Sequence, residues 1–302
     1  MTAKPDKELL GQIERLITQF QPLVKEAEGS KAEESFVYGL RALVCLAGMI
    51  LREDDVFGIE AWHSLSSETT LIKPVEMLLR LQTFQGKPMP PYPAIMAFYN
   101  NGFTAGIDSI LFLAGLQQFQ RHIKKQGKYN TVSINISARS LRDPEFVRIT
   151  MDRLEILQLK KRTDRKIIIE IHESTPHLTL SRQILALYKN LGVSFAIDDV
   201  GLNMDDIMRL SEFEGMTEYI KIDRHAVNSP EKLRQTMSFI TTIMPEVHII
   251  AEGVKTPEQA LKISQDFPDI HYVQGRSLPE SHETFALAYY NAKAAQQRTK
   301  ET

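Results

Sequence analysis

Glu76, Asn135, Glu170, the adjacent Asp198 and Asp199, Lys221, Glu252 and Gln274 each stand near the C-terminal end of an apolar or β-branched run. A purely structural strand needs none of them. One carboxylate in such a place is an ordinary cap or turn former. Five or six acidic groups converging on one mouth would repel one another and raise each other's pKa values, so they call for cations. Oxygen donors from Asp, Glu and Asn suit Mg2+ or Mn2+. Two neighbouring aspartates let one carboxylate bridge two ions while the next holds only the second. A two-metal site points to metal-dependent, in-line hydrolysis of a phosphodiester.

Eight strand-like runs must position these residues: VFGIEAWHSL, TLIKPVEMLLRLQ, TVSINIS, KIIIEIHE, VSFAIDD, YIKID, VHIIAE and IHYVQG. From the second onward, each is followed by a helical pattern. Only SSET separates the first two, too short for a parallel crossover, so they pair antiparallel. The later runs have helix-length connections and near-continuous apolar character, as parallel strands covered on both faces do. The expected fold is α/β, a TIM-like (β/α)8 barrel with one antiparallel strand, plus N-terminal helices. Its chemistry belongs at the C-terminal ends of the parallel strands.

The segment KELLGQIERLITQFQPLVKEAE is amphipathic at helical spacing, and a second helical stretch runs from Ala32 to Leu51. Residues 1–55 are therefore expected to form an N-terminal helical extension and 56–302 the barrel domain. The proline-rich QGKPMPPYP, Gln85 to Pro93, is expected to be a rigid extended loop. Thirty-six basic against 38 acidic side chains give a net charge of −2, which argues against a nucleic-acid polymer as partner. The single cysteine, Cys45, excludes a disulfide framework and a Cys-based zinc site. The eight histidines show no metal-ligand spacing. The N-terminus lacks a secretory apolar core, and the run Leu43 to Leu51 is too short to span a bilayer. A cytoplasmic protein without membrane insertion is expected.

From about Val56 to Glu280 the sequence resembles the EAL-domain cyclic-di-GMP phosphodiesterases. The resemblance rests on EMLLR (Glu76 to Arg80) followed by LQTFQGKPMPP, NISARSL from Asn135, EIHES from Glu170, IDDVG from Ile197, IKIDR from Ile220, AEGV from Ala251 and VQG from Val273. The triplet Glu60-Ala61-Trp62 also matches two letters of EAL, but Ser64 stands where the family's arginine belongs, so Glu60 reads as structural. The resemblance implies two divalent cations, Mg2+ or Mn2+. Glu76, Asn135, Glu170 and Asp198 would hold one, and Asp198, Asp199 and Glu252 the other. It further implies that Lys221 positions the attacking water and Glu252 serves as a base. Arg80 would contact a substrate phosphate, Gln274 would order the site, and Glu173 would support the loop. Cyclic di-GMP would be opened to linear pGpG by a homodimer, with a regulatory protein partner as a further expectation.

The chain departs from the family in two places. The loop after the aspartates reads DDVGLNMDD against a family pattern close to DDFGTGYSS, changing Val200, Leu202, Asn203 and Met204. Asn203, tolerant of left-handed backbone, is expected to stand in for the second glycine. Lys255 replaces a glutamate; it either pairs with Glu173, Asp205 or Asp206 or is solvated. Asp205 and Asp206 open a helical segment and read as compensation of its N-terminal dipole. The altered loop 200–206 and Lys255 suggest slow turnover or a need for activation. The alternative is a weak or inactive domain that senses cyclic di-GMP or binds a regulated protein.

Overall fold

The computed structural model describes residues 6–30, 32–66, 73–125, 129–157, 165–172, 181–201 and 203–301. The expected runs become β1 (Phe57–Ala61), β2 (His63–Ser64), β3 (Pro74–Leu79), β4 (Leu81–Gln82), β5 (Pro88–Met89), β6 (Thr131–Ser137), β7 (Lys166–His172), β8 (Val193–Val200), β9 (Tyr219–Ile222), β10 (His248–Ala251) and β11 (Ile270–Val273). Nine of them form one sheet in the order β1-β3-β6-β7-β8-β9-β10-β11-β2. The pairs from β6 through β11 are all parallel. Trp62 N–H donates to Pro74 O and Arg80 N–H to Val56 O, so β1 runs antiparallel to β3, and β2 runs antiparallel to β11. Because β1 and β2 are one run broken at Trp62, the two ends of the sheet are joined through the chain. This is the expected TIM-like barrel with one reversed run.

The proline-rich stretch is more structured than expected. Pro88–Met89 pairs antiparallel with Leu81–Gln82 in a separate two-stranded ribbon, where proline costs no central ladder bond. Pro91 then opens a helix, at a position whose N–H has no intrahelical partner anyway.

The chain divides into two compact units. The first comprises residues 1–58, 77–126 and 139–157, and the second 59–76, 127–138 and 158–302. The first holds α1 (Lys7–Glu26), α2 (Glu33–Leu51), α3 (Pro91–Tyr99), α4 (Thr104–Lys124), α5 (Pro144–Leu157) and the β4–β5 ribbon. The amphipathic face foreseen for α1 is buried: Leu9, Ile13, Leu16 and Phe20 face inward, and α1 packs on α2 and α4. The Phe20 ring meets Phe36, Phe98 and Phe103 at centroid distances of 5.4, 4.6 and 5.4 Å. At Gly39 on α2, an added Cβ would lie 3.0 Å from Ala97 Cβ and 3.3 Å from Phe20, so any side chain there would press on both neighbours. The run Leu43–Leu51 belongs to a 19-residue helix that by length and composition could cross a membrane. Within this unit, α2 buries Ala42, Leu43, Leu46, Met49 and Ile50 and packs against α1 and α3.

The second unit contributes α6 (Arg182–Asn190), α7 (Met204–Glu212), α8 (Arg224–Val227), α9 (Pro230–Ile243), α10 (Pro257–Asp266) and α11 (His282–Glu301). In β7, Ile167, Ile168, Ile169 and Ile171 are all buried, as a parallel strand covered on both faces requires. Trp62, Ile168, Ala196, Tyr219, Ile250 and Tyr272 form one buried layer. This layer decides where the polar residues go: in a strand, residues two apart share a face. Two positions beyond Ile168, Ala196, Tyr219, Ile250 and Tyr272 stand Glu170, Asp198, Lys221, Glu252 and Gln274.

Phe20 is fully buried and touches three other rings, so Phe20→Ala should cost about 3–5 kcal/mol in urea unfolding. A loss below about 1 kcal/mol would show that α1 is not part of the first unit's core.

Candidate functional site

The second polar layer converges on a single ammonium. Lys221 on β9 is 1% exposed, and its Nζ lies 3.0 Å from Glu76 Oε2, 2.8 Å from Glu170 Oε2, 3.1 Å from Asp198 Oδ1 and 2.7 Å from Glu252 Oε1. Asn135 Nδ2 donates to Glu76 Oε1 at 2.7 Å and Gln274 Nε2 to Glu76 Oε2 at 2.6 Å. Ser133 Oγ donates to Glu170 Oε1. The ladder aligns these groups: Ser133 and Asn135 face the Ile168 and Glu170 positions of β7 in register.

Two neighbouring aspartates in a regular strand would point to opposite faces. Here the β8–β9 register runs Ile197↔Ile220 and then Val200↔Ile222, so Asp198 and Asp199 together oppose Lys221. This is a β-bulge, with Asp199 at φ 53°, a left-handed conformation that aspartate tolerates better than most residues. As a result, Asp198, Asp199 and Glu252 each offer an oxygen within 4.8 Å of the others.

Glycines hold the remaining two rim residues. A Cβ on Gly275 would sit 1.8 Å from Val254 O, and Gly253 takes φ 69° against Arg224. The two loops therefore close on each other, with Val254 N–H donating to Gln274 O and Gln274 N–H to Ala251 O. That contact fixes Glu252 and Gln274 at the rim.

Burial alone would pull the Lys221 ammonium down, but the surrounding carboxylates, Asp198 foremost, hold it well above its usual value. Glu170 is raised well above the carboxylate range by burial and then by Glu76, against the pull of Lys221. Glu252 is pushed up to about 8, by burial first, with Lys221 opposing and Asp198 adding. Asp199, the member with a face to solvent, rises to about 6 through desolvation and then Asp198. Four carboxylates around one ammonium leave an excess of three negative charges when all are ionised. Asp198 Oδ1 contacts Nζ as an ion without hydrogen-bond geometry, and Gln274 Oε1 is buried without a donor. Surplus charge, hard oxygen donors and unused lone pairs fit a divalent cation. The cluster Asp198, Asp199 and Glu252 could hold one.

The structure thus gathers Glu76, Asn135, Glu170, Asp198, Asp199, Lys221, Glu252 and Gln274. Arg80 lies in the first unit, exposed, with Nη1 donating to Leu79 O and Nε where a Cβ on Gly58 would be only 3.0 Å away. Glu173 lies outside the described residues. Lys255 is exposed, makes no ion pair among the described residues, and donates its backbone N–H to Gln259 Oε1. Asp206, one of its expected partners, is fully buried and accepts from Gly201 N–H, Asn203 N–H and Arg209. Asn203 does not adopt a left-handed conformation. At φ −93° and ψ 166° it is extended and caps α7, its side chain accepting from Asp206 N–H.

Sequence reasoning passed over three further contributors. Ser133 was detectable as the residue two before Asn135. Arg209 offered no signal beyond a basic residue in a helix. Glu60 is hydrogen-bonded to Gln274 and has its carboxyl raised by burial and then by Glu76, with Arg276 Nε 4.0 Å away.

A family model described as EAL domain matches residues 64–279. The chain belongs to the EAL domain family. It is 26% identical over 221 residues to the signaling protein YkoW of Bacillus subtilis, covering 70% of this chain and 27% of that one. It is 27% identical over 212 residues to the cyclic di-GMP phosphodiesterase PdeA of Borreliella burgdorferi, covering 68% and 30%. The chain spans less than a third of the length of these two relatives. Among solved structures, the Xanthomonas citri FimX EAL domain in complex with c-diGMP superposes with a TM-score of 0.61 at 20% identity, over 83% of this chain and 94% of that one. The EAL enzyme Bd1971, in its cAMP and cyclic-di-GMP bound form, gives 0.62 at 20% identity over 95% and 77%. Both support the EAL domain's barrel.

If Lys221 is the counter-ion that makes this layer tolerable, Lys221→Met should cost about 3–5 kcal/mol in urea unfolding with chelator, and Mn2+ should restore part of it. A loss under about 1 kcal/mol in chelator would show that the carboxylates do not depend on the ammonium.

Proposed function

We propose that this EAL domain is a metal-dependent phosphodiesterase that opens cyclic di-GMP to linear pGpG. The observation that carries the reading is the layer of carboxylates around Lys221, in which the bulge turns both Asp198 and Asp199 toward Glu252. Two cations, Mg2+ or Mn2+, suit these donors: one with Glu76, Asn135, Glu170 and Asp198, the other with Asp198, Asp199 and Glu252. Asn135 would turn its amide to present Oδ1. Bound there, such ions supply a more acidic water and charge neutralisation at the phosphate.

The chain's own residues do the rest. Lys221 donates a hydrogen bond that orients the attacking water, and Glu252 accepts its proton. The water oxygen bonds to phosphorus as the P–O3′ bond breaks, the departing O3′ takes a proton from solvent, and a 5′-phosphate is left on the linear product. Arg80 binds a substrate phosphate, and Gln274 holds Glu76 in place. Residues 1–55 serve as a helical extension to a catalytic domain spanning 56–302, working on a cytoplasmic nucleotide. The reading also draws on the relative PdeA, whose name states this activity, and on FimX, solved with the nucleotide bound.

A second reading, a weak or inactive domain that senses cyclic di-GMP or binds a regulated protein, is favoured by the altered loop 200–206 and by the lysine at position 255, which is exposed. A slow basal rate raised by homodimer formation or by a regulatory partner would satisfy both sets of observations.

Single-turnover hydrolysis with excess protein separates the two readings. Labelled cyclic di-GMP should yield pGpG with Mg2+ or Mn2+ and none with Ca2+; nucleotide binding without product would establish the sensor instead. Glu76→Ala should abolish turnover, while Glu60→Ala should leave most of it, and the reverse pattern would move the signature from EMLLR to EAW.

A further inference from the structure

The β-bulge that brings Asp198 and Asp199 to one side leaves backbone groups outside the ladder, and each needs a partner elsewhere. Arg209, one turn into α7, supplies it. Its Nη2 donates to Asp198 O at 2.7 Å and to Ile171 O at 3.5 Å, the latter one residue past Glu170 on β7. Its Nη1 meets Asp206 Oδ1 at 3.3 Å, a pair with side-chain exposures of 16% and 0%. The other Asp206 oxygen accepts from Gly201 N–H at 2.8 Å and Asn203 N–H at 3.4 Å, while Asn203 Oδ1 accepts from Asp206 N–H at 2.8 Å. One closed set of hydrogen bonds thus runs from the carbonyl of Asp198 through Arg209 and Asp206 to the amide of Gly201. It brackets Asp199 from both sides.

We infer that Arg209 and Asp206 are positioning residues that hold the Asp198–Asp199 bulge in its cation-binding form. The inference rests on the reading that this cluster binds a divalent cation. Asp206 is then far more than dipole compensation at a helix start, because a buried carboxylate with three donors fixes the loop covalently adjacent to Asp199. The guanidinium is suited to the task, since its planar fork reaches two strands and a carboxylate at once. A lysine ammonium at the same place could satisfy only part of that set.

The test is Mn2+ affinity, read by calorimetry on the full chain without nucleotide, alongside urea unfolding in chelator. Arg209→Gln and Asp206→Asn should each weaken Mn2+ binding about 10–100-fold, the range for lost support behind a metal ligand, while each variant stays folded in chelator without urea despite a lowered urea midpoint. Arg209→Lys should recover part of the affinity. Should Arg209→Gln fail to fold, Arg209→Lys and Asp206→Asn carry the same comparison. Affinities within about twofold of the unaltered chain would overturn the inference. So would a loss of binding that tracks loss of the fold in every variant, and so would an unaltered chain that binds no Mn2+. An unaltered chain that binds Mn2+ but does not hydrolyse cyclic di-GMP sinks only the phosphodiesterase reading.

Discussion

One ammonium makes the rim of this barrel possible. Four carboxylates drawn from β3, β7, β8 and the end of β10 could not share a buried layer without a positive charge among them, and Lys221 supplies it from β9. The desolvation of such a group is expensive, and its several close contacts are what offset it. The compensation is incomplete: Glu170 and Glu252 both keep raised pKa values, and acceptors on Asp198 and Gln274 lack donors. A layer under that tension is poised to take up a stronger cation. The same contacts therefore mark where a divalent cation could be held.

The barrel's core and its site are two successive storeys of one construction. Ile168, Ala196, Tyr219, Ile250 and Tyr272 fill the interior, and the residues two positions further along each strand are charged or polar. Lys221 Nζ stands 6.0 Å from the Trp62 ring centroid, and that ring lies 5.6 Å from Tyr219 in the storey below. Packing thus sets the height and direction of the functional side chains. A change in the apolar layer would be felt as a displacement of the ammonium.

Much of this was legible in the sequence, because strand ends mark the rim and a period of two fixes which residues face inward. Seven of the eight gathered residues fit that basis, and Asp199 stood out only as the neighbour of Asp198 at a strand end. The reversed first run was also legible, since SSET is too short for a crossover. What escaped depended on backbone conformation that a residue type only permits. The bulge at Asp199 has no local signature, and without it the adjacent aspartates could not act together. Pro91 reads equally as a loop residue or as a helix start. Asn203 looked like a glycine substitute through its backbone tolerance, whereas it works through its side chain as a cap. Asp206 and Arg209 carry charges ordinary for any surface helix, and only tertiary placement reveals that Asp206 is buried.

The loop after the aspartates illustrates how the same constraint can be met by different means. A glycine- and hydroxyl-rich loop can adopt a demanding backbone path because its residues resist few conformations, but it must then lose that freedom on ordering. Around Gly201 and Asn203 side chains make the contacts instead: an asparagine cap, a buried aspartate accepting two backbone amides, and an arginine reaching back to the Asp198 carbonyl. Of the residues that depart from the family's pattern, Asn203 is tied by hydrogen bonds to Asp206, and Asp206 through Arg209 to the Asp198 carbonyl.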